Sequence, residues 1–118
     1  MIVLLVGAAG AAGAVARFLV DTGVRRVVPT AFPVATVAIN VTGSLVLGFL
    51  TALERDHLDA VRLVAGVGFC GGYTTFSTAM VDTVRLGRQR RPVLATVNLI
   101  GQPLVCVLAA ALGYLAVG

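Results

Sequence analysis

The sequence predicts an all-α membrane protein: four transmembrane helices, the third of them broken mid-membrane. Three observations carry this. The chain of 118 residues is 58% hydrophobic, with a mean hydropathy of +1.01. Only 12% of it is charged, against roughly 25% in an ordinary soluble domain. Four apolar segments joined by short connections use the whole chain, and the third is interrupted by paired glycines and a run of hydroxyls. So much apolar surface cannot be hidden inside a core this small.

The first segment runs over about residues 2–20 and holds Arg17 near its end. It has no basic region before its apolar run and no obvious small-residue cleavage site after it, so it reads as a mature span and not as a removable signal peptide. The second covers about 32–53 without charge, the third about 61–84, and the fourth about 92–117, again uncharged. Each approaches the roughly 20 residues that cross a bilayer. Together they predict a single four-helix transmembrane domain over 1–118, a multi-pass protein of the cell membrane. The density of Gly and Ala along the segments predicts close helix packing, and with it an oligomer.

Charge placement predicts an orientation. The connections 21–31 and 85–91 carry Arg25, Arg26, Arg85, Arg88, Arg90 and Arg91, whereas the 54–62 loop holds only Arg55 and Arg62. Basic residues in short loops favour the cytoplasm, which puts both termini outside. The net charge of +4 suits anionic headgroups, and no basic face with interleaved aromatics suggests nucleic acid.

Polar groups inside apolar spans are expensive and therefore informative. Asn40 and Ser44 share a helical face in the second segment, and an amide there serves either as interhelical glue or as a pore-lining donor. In the fourth segment Asn98, Gln102 and Cys106 recur every four residues, a polar stripe read as a permeation surface. Arg17 snorkels to the interface, anchors a loop or attracts an anion. Asp82, at the end of the third span, is placed to pair with Arg85 one turn on. Cys70 and Cys106 read as free thiols in apolar surroundings, and His57 with Glu54, Asp56 and Asp59 reads as a solvated loop.

No catalytic set is present, so no enzyme activity is expected. The start of the chain, Ile2–Val6 followed by Gly7-Ala8-Ala9-Gly10-Ala11-Ala12-Gly13, mimics a strand and a glycine-rich dinucleotide turn. That fingerprint needs a second strand with an acidic residue about 20 residues on, and here another uncharged apolar segment follows. The strongest feature is Gly71-Gly72-Tyr73-Thr74-Thr75-Phe76-Ser77-Thr78. Backbone that leaves the helix at membrane depth is tolerated only where protein buries it or it lines a cavity.

These stretches together resemble the Fluc (CrcB) fluoride channels. Gly10 to Phe18, GAAGAVARF, is similar to the family's first-helix motif, and Ala38 to Ser44 to its VNxxGS motif. Gly68 to Thr78 is similar to its GFxGGxTTFST signature. The resemblance implies a subunit that pairs antiparallel with a second one, two pores, and passive, selective fluoride export. It implies a structural Na⁺ at the dimer centre, held by the main-chain carbonyls of Gly71 and Thr74 and not transported. For the fluoride pathway it implies Asn40 and Phe76, with Ser77 and Thr78 as nearby donors, and it gives Arg17 a role in attracting the anion. Carbonyl oxygen suits a hard cation. The positive edge of a phenyl ring suits a small anion.

Three positions depart from the family pattern. A second Phe is usual where Ala79 stands, and Asn98 and Gln102 replace a Tyr and a Ser in the fourth helix. With the one-sided loop charges, these departures suggest one half of a heterodimer completed by a paralogue, against a homodimer. Two rival functions remain, a small dual-topology multidrug/proton antiporter and a non-conducting membrane assembly subunit. The first needs a carboxylate within a span, where only the terminal Asp82 stands.

Overall fold

The computed structural model describes residues 1–30, 32–53 and 62–117. His57, Glu54, Asp56, Asp59 and Arg55 lie outside these, as does residue 61, where the third apolar segment was expected to begin.

Every regular element among the described residues is helical. Helix α1 spans Ile2–Val27 and closes on Arg25 and Arg26, cations that complement the negative end of its dipole. Asp21 accepts from Arg25 Nε at 2.9 Å one turn apart, which carries the helix past the apolar stretch. Pro29 follows shortly after the end, as is common beyond a helix C-terminus. Helix α2, Val34–Ala52, starts behind Pro33. A π-helical segment, Arg62–Cys70, runs into the single turn α3, Gly71–Tyr73. The chain then leaves the helix at Thr74 (φ −77°, ψ 159°) and Thr75 (φ −148°, ψ 118°), and α4 resumes over Phe76–Arg88. Helix α5, Pro92–Val117, begins on proline, whose missing N–H has no intrahelical use there, and contains Pro103.

Helices α1, α2 and α5 are long and apolar enough to cross a membrane. Much of the outer surface is large and apolar, including Leu4, Val15, Phe18, Val97, Leu104, Val107 and Leu115. That surface matches lipid or a partner and not water.

Two close crossings set the architecture. Helix α2 lies along α5, where a Cβ on Gly48 would collide with the Ala110 carbonyl and one on Gly113 with that of Leu45. Helix α1 crosses the π-helical segment and α3 in the same manner, with Gly13 against the Phe69 carbonyl. Small residues allow backbones this near one another, and close packing drives helix association in lipid. Between α2, α4 and α5 the interior is partly polar: Thr36, Asn40, Asp82, Asn98 and Gln102 are all buried.

Candidate functional site: a clasped helix break beside an open groove

Opening a helix strands peptide groups, and each stranded group buried from water is costly. At Thr75 the carboxamide of Asn40 resolves this. Its Oδ1 accepts the Thr75 N–H at 2.8 Å, and its Nδ2 donates to the Thr75 carbonyl at 3.0 Å. The second Nδ2 hydrogen goes to Gln102 Oε1 at 2.7 Å. Thr75 also caps α4: its Oγ1 accepts from the Thr78 N–H at 3.1 Å and donates to Thr78 Oγ1 at 3.0 Å.

These bonds divert two N–H groups. The Thr75 N–H would otherwise close the next turn on the Gly71 carbonyl, and the Thr78 N–H would reach back to that of Thr74. The twin glycines themselves stay helical, with no positive φ. Departure from the helix therefore falls on the two threonines and not on Gly71 or Gly72.

Behind Asn40 the network continues into α5. Gln102 Nε2 donates to Asn98 Oδ1 at 2.6 Å. Asn98 Nδ2 in turn donates to the Ala79 carbonyl at 3.1 Å and to Thr83 Oγ1 at 2.8 Å. Side chains and peptide groups on α2, α4, α5 and the break thus form one connected ladder, in which each amide fixes the orientation of the next.

An open groove of about 560 Å³ lies in front of it, lined by Asn40, Ser44, Cys70, Gly71, Thr74, Thr75, Phe76, Gln102 and Cys106 among others. Most of the residues singled out from the sequence are thereby brought together. Phe76 projects from the start of α4 and is 76% exposed. Asn98 and Gln102, expected as one stripe, are separated in role: Gln102, 5% exposed, touches the groove, while Asn98, 1% exposed, stands behind it and holds it. Ser77 is exposed and does not line the groove, and Thr78 serves the cap. Arg17 is half-buried on α1, away from the groove, and pairs with no carboxylate among the described residues.

Sequence reasoning missed a second buried cluster. Asp82, 3% exposed, accepts from Thr36 Oγ1 at 2.9 Å and pairs with Arg85 Nη2 at 3.3 Å. The Arg85 partnership was legible from the i, i+3 spacing. Thr36 was not, since it lies 46 residues away. Thr42 with Tyr73 is another unforeseen tie, at 2.9 Å between hydroxyls.

The fold and site define a helical membrane protein whose polar centre is built on an opened helix. The chain matches the family described as "CrcB-like protein, Camphor Resistance (CrcB)" over residues 4–114, and it belongs to that family. Its relatives include a protein of Leifsonia xyli subsp. xyli named "Fluoride-specific ion channel FluC 1". That protein is 47% identical over 115 residues, covering 96% of this chain and 84% of the relative. A "Fluoride-specific ion channel FluC 2" of Cutibacterium acnes is 44% identical over 118 residues, covering 96% and 94%. Another of that name from Mycobacterium bovis is 46% identical over 104 residues, covering 88% and 81%.

Proposed function

We propose that the chain is a subunit of a fluoride-selective channel, through which fluoride leaves the cell down its gradient. The observation that carries the reading is the break at Thr74–Thr75, held open by Asn40 on the wall of the groove beside an exposed phenyl ring. Relatives bearing the fluoride-channel name match nearly the whole chain.

Fluoride is small and tightly hydrated, so a selective path must replace its water with close donors. Phe76 offers its positive ring edge to the groove. Asn40 and Gln102 offer amide dipoles there, with Asn98 positioning Gln102. Ser77 and Thr78 follow Phe76 along α4, and Arg17 raises the local anion concentration.

A Na⁺ ion is part of the proposal. The Gly71 and Thr74 carbonyls fit it, because the N–H groups that would occupy them in a continuous helix are committed to Asn40 and Thr75 Oγ1. Carbonyl oxygen is the ligand type a hard cation takes. Such an ion would neutralise converging carbonyl dipoles and tie subunits together.

The proposed assembly is an antiparallel dimer across the groove face. The π-helical segment, α3 and α4 together would form the third of four spans, broken at membrane depth. The arginine bias puts the 21–31 and 85–91 connections in the cytoplasm and the termini outside. Ala79 and Asn98 leave a ring position and a track position unlike the family pattern, which supports a heterodimer with a paralogue.

The test is fluoride-electrode efflux from liposomes holding the purified chain, alone and co-purified with a candidate paralogue, with Na⁺ or with a large organic cation. Selective efflux that needs Na⁺ supports the channel. Robust efflux by the single chain removes the heterodimer, and efflux driven only by a proton gradient removes the channel.

A further inference from the structure

A second cavity, of about 240 Å³, lies at the arginine-rich end of the molecule, away from the groove. Its walls come from the last turn of α1, the connection into α2, and the end of α4, and include Arg25, Thr30, Phe32, Arg85 and Gln89. Both guanidinium groups are anchored. Arg25 Nε is held by Asp21 at 2.9 Å, and Arg85 Nη2 by Asp82 at 3.3 Å. A guanidinium carries five N–H donors, so each anchor leaves others unused. Arg85 Nε is fully buried and has no acceptor among the described residues. Arg26, Arg88, Arg90 and Arg91 lie close by in sequence, and among the described residues Asp21 and Asp82 are the acidic side chains that offset them. Inward of the cavity, Arg85 is tied to Asp82, which accepts from Thr36.

We propose that this cavity is an anion antechamber. It binds small inorganic anions between Arg25 and Arg85 and raises their concentration at the arginine-rich end of the molecule. For fluoride as the anion delivered, it rests on the channel reading above. Low-dielectric walls lined by one sign of charge concentrate counter-ions in this way. Because the two guanidiniums are fixed on different elements, the site is distinct from the diffuse charge of the surrounding arginines.

The test compares two neighbouring charge removals. Arg25→Gln removes a cavity wall without touching Asp82, whereas Arg26→Gln removes the same charge one residue away, outside the cavity. In fluoride efflux at low ionic strength, Arg25→Gln is expected to raise the half-saturating fluoride concentration roughly threefold with an unchanged maximal rate. The difference should vanish at about 1 M salt, where screening reaches about 3 Å. Arg26→Gln should leave both parameters in place. Arg85→Lys keeps a cation for Asp82 and should show the same direction as Arg25→Gln.

A binding arm uses inorganic phosphate and the thermal unfolding of detergent-purified protein. Phosphate should stabilise the wild type and Arg26→Gln, and not Arg25→Gln. Equal effects of the two glutamine variants would overturn the proposal, because general surface charge then suffices. So would a phosphate effect that is abolished when phosphatidylglycerol is added to the detergent-purified protein, which would assign the cavity to a lipid headgroup. A wild type stabilised by phosphate through Arg25 that passes no fluoride, either alone or co-purified with a candidate paralogue, would defeat the channel reading and leave the cavity standing.

Discussion

Asn40 pairs with Thr75 as one peptide group pairs with another: its amide oxygen takes the Thr75 N–H and its amide nitrogen serves the Thr75 carbonyl. A side chain on α2 thereby completes the backbone of a segment 35 residues away. The opened ribbon is stable because its polar groups are satisfied by a fixed neighbour, in a setting where water is scarce.

Replacing Asn40 by Leu keeps the branched shape of the side chain and removes all three of its bonds. The expected cost is about 1–3 kcal/mol, because the Thr75 backbone groups and Gln102 Oε1 lose their partner. A thiol-reactive dye can follow the unfolding, since Cys70 is buried in the native fold. Fluoride efflux should fall with it. Asn40→Asp retains an acceptor for the Thr75 N–H but turns a carboxylate oxygen on the Thr75 carbonyl and Gln102 Oε1, so it should lower the melting temperature at least as much as Asn40→Leu.

Phe76 separates conduction from packing. Its ring is mostly exposed, so Phe76→Ile should change protomer stability by less than about 0.5 kcal/mol. Efflux should nevertheless drop by an order of magnitude or more. Unchanged flux would remove the ring edge from the fluoride path.

Gly71 tests the proposed partner. A Cβ built there meets nothing within 4 Å in the protomer. Gly71→Ala should therefore preserve helix content and, by favouring helical backbone, leave unfolding unchanged or slightly raised. Dimer recovery after cross-linking and Na⁺-dependent flux should both fall, since the added methyl would stand at the subunit contact. Gly48→Ala is the contrast: its Cβ would meet the Ala110 backbone, so it should disrupt the protomer itself.

Arg90 occupies the left-handed region, with φ 59°, in the turn that joins α4 to α5. The Arg91 N–H reaches the Leu86 carbonyl at 3.0 Å and the Arg90 N–H that of Gly87 at 3.2 Å, a helix end that usually takes glycine. Arg90→Gly should raise stability by about 0.5–1 kcal/mol, less than the full left-handed penalty because glycine is freer in the unfolded chain. A lower melting temperature in detergent would contradict this.

Apolar length and composition made α1, α2 and α5 legible, and the interruption at residues 71–78 pointed to the opened segment. The side on which Asn40 would bond was not legible, because its partner Thr75 belongs to another element and the bond uses backbone atoms that every residue possesses. The same holds for Asn98, whose carboxamide reaches the Ala79 carbonyl. Spacing alone gave Asn98 and Gln102 a common face, but not which of the two would reach the groove. The glycines misdirected the expected position of the break. They serve close helix crossing, with a Cβ on Gly72 meeting the Gly10 carbonyl, while Thr74 and Thr75 take the extended backbone. Threonine tolerates that conformation well, and its hydroxyl supplies the cap that restarts the helix.

Where α2 and α5 meet at Gly48 and Gly113, peptide oxygen rests in the space a methyl would need. Sliding one helix by a single residue would drive a Cβ into that oxygen, so the pair has one register and behaves as a rigid plate. Any gating swing in this subunit must then pivot elsewhere, at the two threonines or at the short turn before Pro92, while the plate keeps Asn40 and Gln102 at a constant separation.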